Sequence, residues 1–517
     1  MMPRTDSSAL SLRFPERSVI PITAVVQVSR IMRNMNSKFF KAFGVAILFL
    51  YAFSASATDF DVGPGLSYSS IGAVPWESVS VGDRVLIHWR EDPYREKWVI
   101  CGQGSEAEPI VVRGVPGPSG QLPVIDGENA TTRMALNYWN ESRGVLKIGG
   151  ASVPADTLPS HIVIENLDIR SGRPPYSFTD TGGNIVSYAE NAASIYVEKA
   201  VDLRIRNCVL HDSGNGLFIG AYDGQTQDIL IEGNWIYDNG IEGSYYEHNT
   251  YTAAIDIVYQ FNRFGLLRGT AGGNNLKDRS AGLVVRWNWI EGGNRQLDLV
   301  DAEDSSVLVN HPHYHETFVY GNILIEAEGQ GNSQIVHYGG DSVTTDDYRK
   351  GMLYFYNNTV VSTRDGNTTL MRLSTNEESA DVRNNIIYTS ASSDHLAMLG
   401  ASGVMDLGNN WLSQGWVTSH DSFTGTVNDA GTNLEGSDPL FLDHYMLAPA
   451  SVCVDAGGSL SPLVLPEHAL LRQYLPHRRS SGRPSDGLPD LGAYEMGVIF
   501  ADDFSSGGAG FWSWPEY

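Results

Sequence analysis

Cysteine is almost missing from this 517-residue chain, which carries only Cys101, Cys208 and Cys453. Three scattered thiols cannot build a disulfide framework or a paired-cysteine zinc site. Basic residues are scarce too: 35 Lys and Arg stand against 60 Asp and Glu, a formal net charge of -25. A body this negative repels phosphate backbones and acidic membrane surfaces. Nucleic acid is thereby excluded as the principal partner, and any acidic ligand needs a local basic groove. After the N-terminal apolar run nothing approaches the ~18 consecutive apolar residues that a membrane span requires. A 3.6-residue hydrophobic period is absent as well, which disfavours helical architectures. What is present is a 42% hydrophobic complement, enough for a large core, with 54 Gly and many Asn. That composition suits short strands joined by many turns.

The N-terminal segment reads as a targeting signal. Starting at Met35, Lys38 and Lys41 form a basic region, Ala42 to Phe53 an apolar one, and Ala55-Ser56-Ala57 a small-residue cleavage site. Residues 35–57 are therefore expected to be a secretory signal peptide preceded by an upstream extension, residues 1–34. Cleavage after Ala57 removes seven basic and two acidic residues, leaving 28 against 58 and a charge of -30. A periplasmic or extracellular location follows. Residues 58–496 are expected to form one domain, a monomer, and residues 497–517 a separate tail.

An internal repeat points to the fold. Ile164-Glu-Asn-Leu-Asp-Ile169, Ile205-Arg-Asn-Cys-Val-Leu210, Ile231-Glu-Gly-Asn-Trp-Ile236 and Val285-Arg-Trp-Asn-Trp-Ile290 share one pattern, apolar at the first and sixth positions with Asn at the third or fourth. Further copies start at Tyr259, Val319, Phe355, Val382 and Leu407, at intervals of 41, 26, 28, 26, 34, 36, 27 and 25 from Ile164 onward. A period near 26 with insertions signals a solenoid. The alternation within each copy is that of a strand. The expected class is all-β: a right-handed parallel β-helix with an N-terminal cap over Asp59 to Asp126 and a Pro/Gly-rich C-terminal segment packed over its end. The asparagines Asn166, Asn207, Asn234, Asn288, Asn322, Asn358 and Asn385 should form a stacked turn ladder, with Cys208 buried in it. A second strand column aligns on Leu217, Tyr251, Leu276, Leu297, Ile335 and Leu370 as inward residues. Phe218, Thr252, Lys277, Asp298, Val336 and Met371 should then form one outer row, with Lys277 beside Asp298.

The outer face should carry the chemistry. Scarce basic residues concentrate between His248 and Glu303, where Lys277, Arg279, Arg286 and Arg295 fall in two successive coils. Such a strip can bind the carboxylates or sulfates of an acidic glycan, or its charges can pair with Asp298 and Asp301 as a solvated ladder. β-Elimination needs a neutralised carboxylate, a base for the C5 proton and an acid for the leaving oxygen. Lys277, with a pKa lowered by burial and by Arg279, is a candidate base, and Tyr251 or His248 a candidate acid. Arg279 completes this catalytic set, while Arg295, Asp298, Asp301, Glu303, His337 and Tyr338 are candidate substrate contacts. Hydrolysis would instead use paired carboxylates among Asp298, Asp301, Glu303 and Asp304. Trp287, Trp289 and Tyr338 can pack inside or stack on sugars. His311-Pro-His-Tyr-His315 would bring three imidazoles to one face if extended and could then hold a metal; a loop is the alternative.

On Asn274-Asn-Leu-Lys-Asp-Arg-Ser280, Arg295-Gln-Leu-Asp-Leu-Val300 and Pro489-Asp-Leu-Gly-Ala-Tyr-Glu495, the span from Val62 to Glu495 resembles secreted bacterial β-helix proteins that degrade polysaccharides. Lys277 is similar to the lysine base of the lyase family that includes chondroitinase B and several alginate lyases. The resemblance implies a polysaccharide lyase acting on a uronic acid-containing glycan. A glycoside hydrolase and a non-catalytic glycan-binding β-helix are the alternatives. This chain departs from that family in having Asp298 where an arginine is expected, and Thr270 to Gly273 in place of calcium-binding glutamates. No metal or other cofactor is therefore assigned. Replacing Lys277 by Ala is expected to abolish turnover with little change in melting temperature, as for an exposed lysine.

Overall fold

A computed structural model describes residues 57–485 and 487–496; the expected signal peptide, except Ala57, and the 497–517 tail lie outside the described residues. Three long sheets, parallel but for one edge pair, run through the described residues, two of 13 strands and one of 11. Beyond the N-terminal end of the third sheet, where Ser177–Thr179 and Ile185–Ser187 form an antiparallel edge, successive coils contribute a strand to each sheet and chain order and sheet order advance together: a parallel β-helix. The first sheet is the repeat column. Ile164 pairs with Ile205, Ile205 with Ile231, Ile231 with Tyr259, and Tyr259 with Val285. Val319, Phe355, Val382 and Leu407 continue it. All nine are buried. Within the expected N-terminal cap, Asp59–Val62, Arg84–His88 and Ile110–Val115 already pair as strands of this sheet.

The asparagine ladder is real but one residue out at its start. Asn234, Asn262, Asn288, Asn322, Asn358, Asn385, Asn410 and Asn433 pass side-chain amide bonds of 2.9–3.1 Å from coil to coil. Each amide also reaches main chain, as Asn234 does in accepting from the Cys208 N–H at 2.9 Å. Asn166 and Asn207 stand one position earlier, in left-handed backbone at φ 59° and 54°. Leu167 and Cys208 fill the ladder site in those coils, both buried. Asn tolerates the left-handed conformation, so the same residue type serves two adjacent positions of the turn.

The C-terminal segment lies along the side of the solenoid, correcting the expectation that it packs over the end. Tyr356 donates to the His468 carbonyl at 2.6 Å, and Arg478 reaches back to the Gly233 carbonyl at 3.2 Å. It covers outward aromatics of the coils: Val464, Leu460 and Leu470 pack on Phe261, Trp287, Tyr320 and Tyr356. Trp289 packs with Tyr445 and Tyr474. Trp287 and Trp289 are therefore packing residues. Burying such rings removes large apolar faces from water. The closing motif is the clasp, with Gly492 N–H on the Asn384 carbonyl at 2.8 Å, Ala493 N–H on Thr359 Oγ1 at 3.0 Å, and a buried Arg483–Glu495 ion pair at 2.8 Å.

Candidate active site

The cleft sits on the third sheet, where one outer row is built by strand register. Tyr196 pairs with Phe218, Phe218 with Tyr251, Tyr251 with Lys277, Lys277 with Asp298, Asp298 with His337, and His337 with Arg372. The expected neighbours Lys277 and Asp298 are thus confirmed. Thr252, Val336 and Met371 are not on the row; all three are fully buried. In the Tyr251 coil Thr250 and Thr252 face inward, while in the two coils after that of Asp298, Ile335 with Val336 and Leu370 with Met371 are consecutive buried pairs. Two successive inward residues break the period of two and carry the outer position one step on, to His337 and Arg372. Tyr338 faces the core at 0% exposure, so it makes no substrate contact.

A cavity of about 580 Å³ opens over this row, lined in part by His248, Tyr251, Lys277, Arg279, Arg295, Asp298, Glu303, His337, Asp341 and Arg372. Lys277 is its centre. Its ammonium donates to Asp298 Oδ2 at 2.8 Å and to Asp341 Oδ2 at 2.6 Å. Burial alone would depress the Lys277 pKa, but the two carboxylates outweigh it and raise it. The expected lowered pKa is thereby corrected, and so is the expected exposure, since Lys277 is 6% exposed. Asp298 takes four groups: Lys277, the Asn274 amide at 2.7 Å, His337 Nδ1 at 2.8 Å and Arg295 at 3.8 Å. Burial opposes its ionisation, yet Lys277 and His337 hold its carboxyl well below the usual range. The His337 pKa is lowered by burial, so Nδ1–H donates to Asp298 while Nε2 accepts from Ser374 Oγ at 2.9 Å.

Arg279 ties the cleft's other wall. Its Nε donates to Tyr251 Oη at 2.8 Å, and Nη2 meets Asp341 Oδ1 and Glu303 Oε1, both at 3.0 Å. Asp341 arrives through the turn Gly339-Gly340. Gly339 has φ 131°, and a Cβ on Gly340 would lie 2.1 Å from the Tyr348 ring. Lys277 and Arg279 lower the Asp341 pKa against the cost of its burial. Asp301 does not line the cleft: it is fully buried and accepts the Asp341 N–H at 2.8 Å, so it positions that loop. His248 Nδ1 accepts the Asn274 N–H at 2.8 Å. Burial and the charge of Lys277 bring its pKa down to about 3, so the ring is neutral, with its proton on Nε2. Arg295 donates to the neutral Gln334 Oε1 at 2.8 Å, and Arg372, exposed at the end of the row, makes no ion pair among the described residues. Sequence reasoning omitted Arg372 and held Asp341 only as part of His337-Tyr338-Gly-Gly-Asp341, a motif that could extend a sugar-binding surface. Arg372 was missed by the single-residue register slip.

The segment that replaces the calcium-binding glutamates does not fit that ion. Thr270 to Gly273 carry no carboxylate, and a Cβ on Gly273 would lie 1.7 Å from the Glu247 carbonyl oxygen. The histidine motif is not extended: Pro312–His315 is a 3-10 turn with Tyr314 buried. His313 bonds Asp256 at 2.7 Å and His315 the Arg349 carbonyl. Among the described residues no cluster of three or more His, Cys, Asp or Glu is arranged to hold a metal ion.

No protein-family model matches the chain, and comparison with curated proteins finds none that matches. Solved structures similar to it include pectate lyase Pel9A, 12% identical over 85% of this chain and 97% of that one, with a TM-score of 0.41. The alginate lyase from Paenibacillus sp. str. FPU-7 is 12% identical, covers 68% of this chain and 92% of that one, and has a TM-score of 0.38. The GH136 lacto-N-biosidase from Eubacterium ramulus is 11% identical over 73% and 67%, with a TM-score of 0.39. The coil architecture stands on the strand register itself.

Proposed function

We propose that this chain is a secreted polysaccharide-degrading enzyme that cleaves a uronic acid-containing glycan by β-elimination in the cleft over Lys277. The observation that carries this reading is where positive charge is left over. Lys277 and Arg279 are matched by Asp298, Asp341 and Glu303, whereas among the described residues Arg372 has no acidic partner and Arg295 only a distant one at 3.8 Å. Two guanidinium groups close enough to repel one another can neutralise a sugar carboxylate, which acidifies the adjacent C5 proton. Tyr251 lines the same cleft. Because its Oη accepts from Arg279, its own proton is directed elsewhere. In its ionised form Tyr251 takes the C5 proton, the C5–H electrons form the C4–C5 double bond, the C4–O bond breaks, and the leaving oxygen takes the proton back. Lys277 enters as a fixed cation, and His248 as a neutral Nε2–H donor to sugar oxygens. Elimination gives an ultraviolet-absorbing unsaturated product. Tyr251→Phe should remove that signal while the protein stays folded.

One observation favours hydrolysis as a second reading. Asp341 and Glu303 each lie 3.0 Å from Arg279 Nη2, so their nearest oxygens are at most about 6 Å apart, closer to retaining than to inverting geometry. New reducing ends without ultraviolet absorbance, lost in Asp341→Asn, would favour hydrolysis over elimination.

A further inference from the structure

We infer that the cleft continues along the solenoid axis to a second anion subsite at Arg143, and that the enzyme therefore engages several linked sugars; this rests on the acidic-glycan reading above. The Arg143 guanidinium lies 5.0 Å from the ring centroids of both Tyr196 and Phe218, on the same outer row as the cleft. Those rings stack on each other at 5.1 Å, and Phe218 stacks on Tyr251 at 5.5 Å. An aromatic ledge thus leads from the proposed catalytic tyrosine to this arginine, and ring faces suit both a guanidinium and a pyranose.

Arg143 has cation–π contacts but no ion pair among the described residues, and its Nε is buried without a hydrogen-bond partner. A desolvated donor left unmatched on a cation is costly, and an anionic ligand would satisfy it. Arg372, the other unpaired cation of the row, stands at the opposite end. Phe218 and Arg372 are five rungs apart in the register, about 24 Å at the usual strand spacing, which several linked sugars would span. Between them Lys277 and Arg279 are already neutralised, so the unspent positive charge sits at Arg143 on one side and at Arg295 and Arg372 on the other. The ligand group is a carboxylate or a sulfate, both of which a guanidinium can take through two parallel bonds.

The test is a chain-length series in a Tyr251→Phe background, where substrate is not consumed. Oligogalacturonates supply carboxylates and heparin-derived oligosaccharides supply sulfates. Affinity should step upward once an oligomer is long enough to reach Arg143, and the series that shows the step identifies the anion. Arg143→Ala should lose that step, about tenfold for one charge-assisted contact, with the shortest oligomers unaffected. Arg143→Lys, which keeps the charge, should retain most of it. Equal binding by the Tyr251→Phe parent and its Arg143→Ala derivative at every length overturns the subsite while leaving the acidic-glycan reading standing. If neither series binds the parent at any length, the acidic-glycan reading falls and the subsite with it.

Discussion

Two lysines of the same outer row, Lys147 and Lys277, are both buried and both paired with carboxylates, yet they carry opposite electrostatics. Lys147 meets Glu198 at 2.9 Å and donates to the Trp139 and Gly150 carbonyls at 2.6 and 2.9 Å. Burial lowers its pKa despite Glu198. Lys277 has two carboxylates, and its pKa is raised. Lys147 is sealed by its own flanking segment, whereas Lys277 lines an open cleft. A solenoid repeats its backbone, so position on the row cannot by itself mark a site; the surrounding charge and the opening to solvent do.

The largest expected effects separate the two. Lys277→Met should lower turnover by roughly 10²–10³, as for loss of a preorganised charge at the reacting centre. It should also destabilise the fold, because Asp298 loses a buried partner; breaking such a pair costs about 3–5 kcal/mol. An expectation of unchanged melting temperature belongs to an exposed lysine, which Lys277 is not. Lys147→Met should cost comparable stability by stranding Glu198, with turnover per folded molecule unchanged. If Lys147→Met lost activity without losing stability, the contrast between the two rungs would collapse.

Asp341 tests the open rung from its exposed side. Its carboxylate is about one-third exposed, so Asp341→Asn should alter stability by no more than about 1 kcal/mol. Turnover should still drop, since both Lys277 and Arg279 lose a fixed anion. Matched denaturation midpoints with lowered kcat are the expected pair of readings; a large stability loss would make Asp341 a structural strut.

How much of this was legible in the sequence follows from the range of each contact. The first column was readable because Ile164 through Leu407 recur with an asparagine marker, and core burial enforces that spacing. The second column lacks a marker, so apolar Tyr251, Ile335 and Leu370 admitted a slip of one residue, which hid His337's true neighbour Arg372. The contact of Asp341 with Lys277 was out of reach for another reason: it spans 64 residues through a glycine turn, a juxtaposition no local pattern specifies. The fate of Trp287 was equally hidden, since its cover comes from Val464 and Leu470 far along the chain.

His248 and its site give a pH-dependent prediction. With a folded pKa of about 3 against an ordinary 6.5, the unfolded chain takes up a proton that the folded protein refuses. This contribution to stability is complete above about pH 6.5 and is lost as pH falls toward about 3. In nuclear magnetic resonance the His248 ring should not titrate between about pH 8 and 5, and no activity limb should track it. A ring titration near its ordinary value would mean that the cleft is far wetter than its burial indicates.

The smallest effect comes from comparing Asp298 with Glu326, two buried carboxylates on the same scaffold. Asp298 sits well below the usual range, while Glu326 is pushed up to about 7 by burial, only partly offset by the Gln296 amide at 2.7 Å and Arg364 at 2.9 Å. The difference lies in partners: Lys277 and His337 converge on the first, one partly exposed arginine on the second. Between about pH 4.5 and 7 the folded protein holds a proton on Glu326 that the unfolded chain has released, so stability should fall as pH rises through that window and level off above it. Glu326→Gln cannot titrate. Its denaturation midpoint relative to wild type should therefore climb from the acid to the alkaline end of the window, whatever constant offset the altered Arg364 contact adds. A midpoint difference that is flat across the window would mean that Glu326 ionises normally in the fold, and that a single arginine suffices where Asp298 appeared to need more.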